Sequence, residues 1–327
     1  MSKLKKTDVE HYSGYNPNLM GLVEPIRKGY YKLADVAVSG NAPKDFIRIY
    51  EYGEARKDNP QKWPAYIAKV GHKWYPNESI TEQFITRVGQ ELGFTVADSK
   101  LMLAKGQLRF LSKYFLNADD EQLVHGSEIF SAHFEDDEFV QQVNEANNTK
   151  ELFTFQSIKD AIKDVYPDSS EKILKDFVKM LFFDAIVGNN DRHFENWGVI
   201  ESIKDDADPR FSPIYDTARG LFWNYPESNL DGYLEHKSKL ESYINGSMPT
   251  TGWDKKGELN HFDLLEQVVH NSSEYCDFIL TFDFNQAMSD IEAILNDEFK
   301  EFFSAKRRCL IEQCLINRIN RIKKILP

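Results

Sequence analysis

The stretch Gly188-Asn189-Asn190-Asp191-Arg192-His193-Phe194-Glu195-Asn196-Trp197-Gly198 sets a carboxylate, Asp191, five positions before an amide, Asn196. A second carboxylate, Asp216, follows twenty positions later. One carboxylate can accept the proton of an attacking hydroxyl, while an amide and a second carboxylate can hold Mg²⁺ on the phosphates of ATP. Asp, Asn and Gly also make ordinary polar loops, and Gly188 and Asn189 both suit the end of a helix. A fourth group makes the spacing more informative. Lys69 closes the apolar run Ala65-Tyr66-Ile67-Ala68, where its ammonium could meet the α- and β-phosphates of a nucleotide, although a strand lysine usually points to water. Glu82 follows thirteen positions later, off the apolar stripe of the next helix and able to turn toward Lys69.

Positioning such groups needs a rigid frame, and the pattern of the chain supplies one. Residues 1–28 are polar and aperiodic and read as an extended arm. Strands are expected over 30–38 and 46–52, the second by its alternation. Between them the small-residue turn Ser39-Gly40-Asn41-Ala42-Pro43-Lys44 could offer backbone N–H groups to phosphates, or serve as a plain hairpin tip. A strand over 65–70 leads to a helix with Ile80, Phe84, Ile85, Val88 and Leu92 on one face, ended by Gly93. Two more strands, 100–104 and 108–115, flank Lys105-Gly106-Gln107. Beyond residue 117 the periodicity becomes helical, with candidates at 137–147 and 157–165. Ser169-Ser170-Glu171 caps the strongest helix, whose broad face carries Ile173, Leu174, Phe177, Val178, Leu181, Phe182, Ala185 and Ile186. That helix delivers the chain into the 188–196 loop. A hairpin of 197–201 and 211–215 then presents Asp216, and after a loop-rich stretch at 220–257 helices are expected near 258–270, 283–295 and 297–326. The fold class is α+β: a small antiparallel β lobe with one helix over residues 1–116, then a larger, mostly helical lobe over 117–327.

Composition narrows the function classes. A hydrophobic content of 41% with 23 Phe implies a large packed core. The formal net charge of −12 argues against autonomous nucleic-acid binding, which needs clustered Lys and Arg. The exception is 306–324, with seven basic residues and the single acid Glu312. Leu310, Ile311, Leu315, Ile319 and Ile322 recur there at helical spacing, which predicts a buried stripe with a basic outer face. A membrane-surface or acidic-partner role is the alternative. No run approaches the ~20 apolar residues of a membrane span. The first residues lack the apolar centre of a secretory signal, and Cys276, Cys309 and Cys314 form no disulfide or metal spacing. A cytoplasmic protein with reduced thiols is expected.

Asp191-Arg192-His193-Phe194-Glu195-Asn196 resembles the D-R-H-x-x-N loop shared by HipA-type kinases and phosphoinositide 3/4-kinases. Gly188-Asn189-Asn190 before it, Trp197-Gly198 after it and Ser212-Pro213-Ile214-Tyr215-Asp216 further on are similar to HipA rather than to the lipid enzymes. Glu91-Leu92-Gly93 and Val96-Ala97-Asp98 extend the resemblance, which covers roughly residues 30–325. It implies a bilobal protein-kinase-like fold in the family's compact form, without the extra N-terminal subdomain. It further implies a serine/threonine protein kinase using ATP and Mg²⁺, with Asp191 as catalytic base and Asn196 and Asp216 as Mg²⁺ ligands. Lys69 would hold the phosphates, Glu82 would orient Lys69, and Ser39, Gly40 and Lys44 would belong to the phosphate loop. His193 would support the shape of the loop, and Arg192 would pair locally with an acid. Members of the family are often toxins held by a DNA-binding antitoxin, or secreted effectors, so an antitoxin-like regulatory protein is a candidate partner beside the protein substrate. The competing readings are a phosphoinositide-type lipid kinase and a nucleotide-binding pseudokinase acting as a binding module.

Some HipA-type kinases phosphorylate their own phosphate loop at either of two serine positions, which here are Ala37 and Ser39. Ser39 is therefore the one candidate of the two. A phosphate there would set up to about two negative charges beside the triphosphate site and weaken ATP binding. Mass spectrometry of protein incubated with ATP is expected to find phosphate on Ser39; phosphate elsewhere and none on Ser39 would contradict the assignment.

Overall fold

The computed structural model describes residues 3–34, 43–117, 119–136, 138, 153–204, 207–254, 256 and 258–326. Ser39 and Gly40, and the helix expected over 137–147 apart from residue 138, lie outside the described residues.

Five strands form an antiparallel sheet: β1 (Tyr31–Leu33), β2 (Lys44–Ile49), β3 (Ala65–Lys69), β4 (Ser99–Ala104) and β5 (Gln107–Lys113), in the order β1-β2-β3-β5-β4. Alternation gives the sheet two faces. Ile47, Ile49, Tyr66, Ala68, Met102 and Leu111 bury one of them together with Leu4 of the N-terminal arm. The opposite face supplies Leu108 to a core it shares with helix α1 (Asn77–Glu91) through Ile80, Phe84, Ile85 and Val88. Between β4 and β5 the two turn residues Lys105 and Gly106 have φ of 54° and 75°. Both are left-handed, as a twist-matched two-residue hairpin requires. The arm is extended as the sequence suggests. Thr7 and Gln107 exchange two hydrogen bonds, of 2.8 and 2.6 Å. Ser13 then donates its N–H to Tyr75 and accepts one from Glu227, so the arm touches both lobes.

The second lobe is mostly helical: α2 (Gly126–Phe134), α3 (Phe155–Val165), α4 (Ser170–Val187), α5 (Asp231–Glu235), α6 (Lys237–Asn245), α7 (His261–Asn271), α8 (Asp277–Leu280), α9 (Phe284–Ala293) and α10 (Ala305–Ile325). Helix α4 is its axis and packs against α3, α7 and α10. From Met180 to Val187 every residue is buried, so the broad apolar face widens into a fully enclosed end. Its first turn departs from expectation, since Ser169 makes no side-chain capping bond. The acidic Glu171 still suits the positive end of the helix dipole.

Three further departures have physical causes. A strand absent from the sequence reading, β6 (Glu121–His125), pairs with β7 (Gly198–Ser202), which pairs with β8 (Arg210–Phe211). Its partner lies more than seventy residues away, where local periodicity carries no information. The expected strand at 211–215 breaks early because Ile214 leaves β8 and bonds to the first lobe, accepting from the Ala97 N–H at 2.9 Å and donating to Thr95 O at 2.8 Å. The last helix, expected from 297, starts late: a π turn over Ile294–Glu298 runs on from α9 and ends at Phe299, and after a break Ser304 caps α10 by accepting the Arg307 N–H. Phe299 and Phe303 use that break to meet the ring of Phe84 edge-on, joining the lobes.

Helix α10 buries the expected stripe of Leu310, Ile311, Leu315, Ile319 and Ile322, but two of the seven basic residues of 306–324 depart from the expected outer face. Arg307 and Arg318 lie on its buried side. Arg307 pairs with Glu227 at 2.7 Å, and Arg318 donates to Ala185 O at 2.8 Å. Cys276 and Cys314 are buried and Cys309 is exposed, all as free thiols. Among the described residues no helix is long and apolar enough to cross a membrane.

Candidate active site

Lys69 is the last residue of β3, and the sheet register sets it opposite Lys44 of β2. Its Nζ lies 2.9 Å from Glu82 Oε1 and 3.1 Å from Asp216 Oδ1. Three separate elements therefore meet at one ammonium: a strand, helix α1 and the segment that leaves β8. Glu82 is 4% exposed in its side chain, Lys69 13% and Asp216 35%, so the pair with Glu82 forms the inner half of the cluster. Burial pushes the Glu82 carboxyl up, against the pull of Lys69 and with the help of Asp216, to about 7. Burial alone would lower Lys69, but Asp216 and Glu82 outweigh it and hold the ammonium above its ordinary value. Burial would likewise raise Asp216, yet Lys69 keeps its carboxyl below the usual range. Lys44 is lowered by burial and by the charge of Lys69. Asp216 has a φ of 52°, a left-handed backbone that Asp tolerates better than most residues.

The other half of the site begins where α4 ends. Gly188 closes the helix in a left-handed conformation with φ 68° and ψ 40°, its N–H bonded to Asp184 O at 2.8 Å. A Cβ there would also come within 3.0 Å of the Arg318 guanidinium, so glycine answers two constraints. The loop that follows is organised around Asp184 and Arg192, both buried. Arg192 Nε and Nη2 donate to the two oxygens of Asp184 at 2.8 and 2.9 Å, and Asn189 Nδ2 adds a third bond at 3.0 Å. The remaining nitrogen, Nη1, donates to Asn196 O at 2.8 Å and to Tyr215 O at 2.6 Å. One guanidinium thus fixes both ends of the loop and the residue before Asp216.

Asn196 then turns its Nδ2 onto Asp191 O at 2.7 Å, which directs its Oδ1 away as the atom able to take a metal. The Asp191 carboxylate is 46% exposed, with Arg219 Nε 3.5 Å from it. His193 Nδ1 accepts the Glu195 N–H at 3.3 Å, a loop-shaping role. Tyr215 donates its hydroxyl to Glu195 O at 3.0 Å, and burial pushes that phenol up. Thr250 and Ser247 hold the loop from outside, by bonds to Arg192 O and Asn190 Oδ1.

The structure thus brings Lys69, Glu82 and Asp216 into one cluster with Lys44 opposite, and Asp191 and Asn196 into a second, tied to the first through Arg192. Among the described residues no three His, Cys, Asp or Glu side chains converge as a metal cage. An amide oxygen and one carboxylate nonetheless suit Mg²⁺, a hard cation usually held by one or two protein oxygens with phosphates and water completing its shell. Sequence reasoning missed Asp184. Its signal was present: a lone carboxylate inside the apolar run Met180-Leu181-Phe182-Phe183-Asp184-Ala185-Ile186-Val187 must have a buried partner.

The family model for the HipA-like C-terminal domain matches residues 36–289. A sequence comparison with curated proteins finds no match. Among solved structures, the Helicobacter pylori proinflammatory kinase CtkA superposes with a TM-score of 0.72 at 19% identity, covering 90% of this chain and 94% of that one. A chain of the Shewanella oneidensis MR-1 toxin–antitoxin complex of HipA, HipB and operator DNA superposes with a TM-score of 0.44 at 13% identity, covering 89% of this chain and 67% of that one. The likeness to CtkA is one of fold.

Removing one partner of the buried pair leaves an uncompensated charge. Asp184→Asn is expected to cost about 3–5 kcal/mol of stability, measured as a fall in the urea midpoint. The double replacement Asp184→Leu, Arg192→Met should recover most of it while leaving the loop without its anchor. A single variant within about 0.5 kcal/mol of wild type would contradict the clamp.

Proposed function

This chain belongs to the HipA-like C-terminal domain family, and on that premise we propose that it is a kinase transferring the γ-phosphoryl group of ATP to Ser or Thr hydroxyls of a protein. The observation that carries the reading is Lys69, held at once by Glu82 of α1 and by Asp216, while Arg192 ties the Asp216 segment to the loop bearing Asp191 and Asn196. In this reading Lys69 exchanges part of its contact with Asp216 for phosphate oxygens, and Glu82 keeps the ammonium aimed. Asn196 Oδ1 and the Asp216 carboxylate would hold Mg²⁺, which would supply charge neutralisation at the phosphates. Asp191 accepts the acceptor's proton as the new O–P bond forms and the bond from the γ-phosphorus to the bridging oxygen breaks, releasing ADP. Catalysis of this kind is mostly positioning and charge stabilisation, which suits a site built from ion pairs. Ser39 and Gly40 enter as phosphate-loop residues on the sequence alone; Lys44 has the support of its register opposite Lys69.

A protein acceptor is favoured over a lipid. The net charge of −12 opposes docking on an anionic bilayer, and two of the seven basic residues of 306–324, Arg307 and Arg318, point into the fold. We assign the protein to the cytoplasm, and a toxin held by an antitoxin-like protein is the biological setting that family membership suggests.

The test pairs radiolabelled ATP and Mg²⁺ with a protein lysate in one tube and phosphoinositide vesicles in another. Label is expected on protein Ser or Thr. Asp191→Asn and Asp216→Asn should each lower transfer by ~10³-fold or more, and only Asp216→Asn should also weaken Mg²⁺-ATP binding. Wild-type turnover in either variant would overturn the assignment of these residues, and label in lipid alone would replace a protein acceptor with a lipid one.

A further inference from the structure

Arg219 stands three residues beyond Asp216, outside the motifs read from the sequence, and three groups converge on it. Its guanidinium lies over the Trp223 ring, 3.8 Å from the centroid. Nη1 is 3.2 Å from Glu78 Oε1 and Nε is 3.5 Å from Asp191 Oδ2. Its own carbonyl accepts the N–H of Asn190, the neighbour of Asp191, at 3.4 Å. Glu78 is fixed in turn: it is buried in the first turn of α1, and its Oε2 accepts the N–H groups of Lys73 and Trp74 at 3.1 and 3.4 Å. The indole therefore supports one face of the guanidinium and the buried Glu78 carboxylate pairs with it by charge, while Nε stands within ion-pair distance of Asp191.

We infer that Arg219 is a positioning residue for Asp191, an inference that rests on the kinase reading above. A carboxylate on a half-exposed loop has several rotamers open to it, and ordering it before the acceptor arrives lowers the barrier. A separation of 3.5 Å is longer than a full hydrogen bond, so Arg219 biases the direction of the carboxylate by charge without occupying the lone pairs that take the proton. Arginine suits the task because its flat cation can stack and present two edges together, which lysine cannot do. Glu78 and Glu82 are four residues apart on α1, hence on neighbouring turns of one face. The same helix thus reaches Lys69 with one acid and, through Arg219, Asp191 with the other.

Arg219→Gln in the full chain tests this, with initial rates of label transfer to lysate protein and the affinity for a fluorescent ATP analogue measured side by side. The expected result is a loss of about 10- to 100-fold in the transfer rate, with nucleotide affinity within about twofold of wild type. Arg219→Lys should recover part of the rate, and it serves as the second variant if Arg219→Gln lowers the melting temperature. Introducing Arg219→Gln into Asp191→Asn should cost nothing further, because the residue acts through the carboxylate already removed. A rate unchanged or raised by Arg219→Gln, a parallel loss of nucleotide affinity, or a full additional loss in the Asp191→Asn background would each overturn the inference. Absence of transfer by the wild type would instead reject the kinase reading on which it rests.

Discussion

The ion pair of Asp184 with Arg192 is the constraint on which the site depends. Both groups are buried, where an isolated charge is costly and a broken pair costlier still. The pair persists because almost every polar atom in it is matched. Asp184 accepts from Arg192 twice and from Asn189 once, and the free edge of the guanidinium goes to the carbonyls of Asn196 and Tyr215. A loop rich in Asn, Gly and Asp, which would otherwise sample many conformations, is thereby held in one. Asp184 belongs to the enclosed end of α4, so the rigidity of the core passes directly to residues that are themselves partly exposed.

A second constraint couples the lobes. Lys69 and Glu82 belong to the small lobe, yet Asp216 reaches them because Ile214 abandons β8 to bond with residues 95 and 97. Phe84 against Phe299 and Phe303, and the arm through Ser13, brace the same junction. The Lys69 cluster sets two carboxylates, Glu82 and Asp216, against two ammoniums, Lys69 and the Lys44 opposite it, so the phosphates of a bound nucleotide would bring added negative charge. Mg²⁺ at Asp216 and Asn196 would offset that added charge, which gives a physical reason for metal and nucleotide to arrive together.

Much of this was legible from local pattern. The helix ending at Gly93, the hairpin at Lys105-Gly106, the left-handed cap at Gly188 and the reach of Glu82 toward Lys69 all follow from periodicity and turn chemistry. The features that escaped depend on distant partners. Strand β6 is defined by β7, and the inward arginines of α10 by carbonyls and acids far away in the chain. Asp184 stands out in the sequence as a lone carboxylate in an apolar run, but the loop it organises becomes visible only with its bonds to Arg192 and Asn189. Arg219 has no spacing that marks it, since its role arises from Trp223, Glu78 and Asp191 meeting in space. The late start of the last helix, at Ala305 instead of 297, goes with the packing of Phe299 and Phe303 on Phe84, a contact that helical periodicity does not show.

A crystal structure of the protein with a non-hydrolysable ATP analogue and Mg²⁺ would show whether one buried ion pair presets a metal–nucleotide cradle. Mg²⁺ is expected at about 2.0–2.1 Å from Asn196 Oδ1 and from an Asp216 oxygen. Lys69 should lie on the phosphates, with the bidentate contact of Arg192 with Asp184 undisturbed. A nucleotide bound away from Lys69, or a loop that releases Arg192 from Asp184 to admit the metal, would contradict a preset cradle.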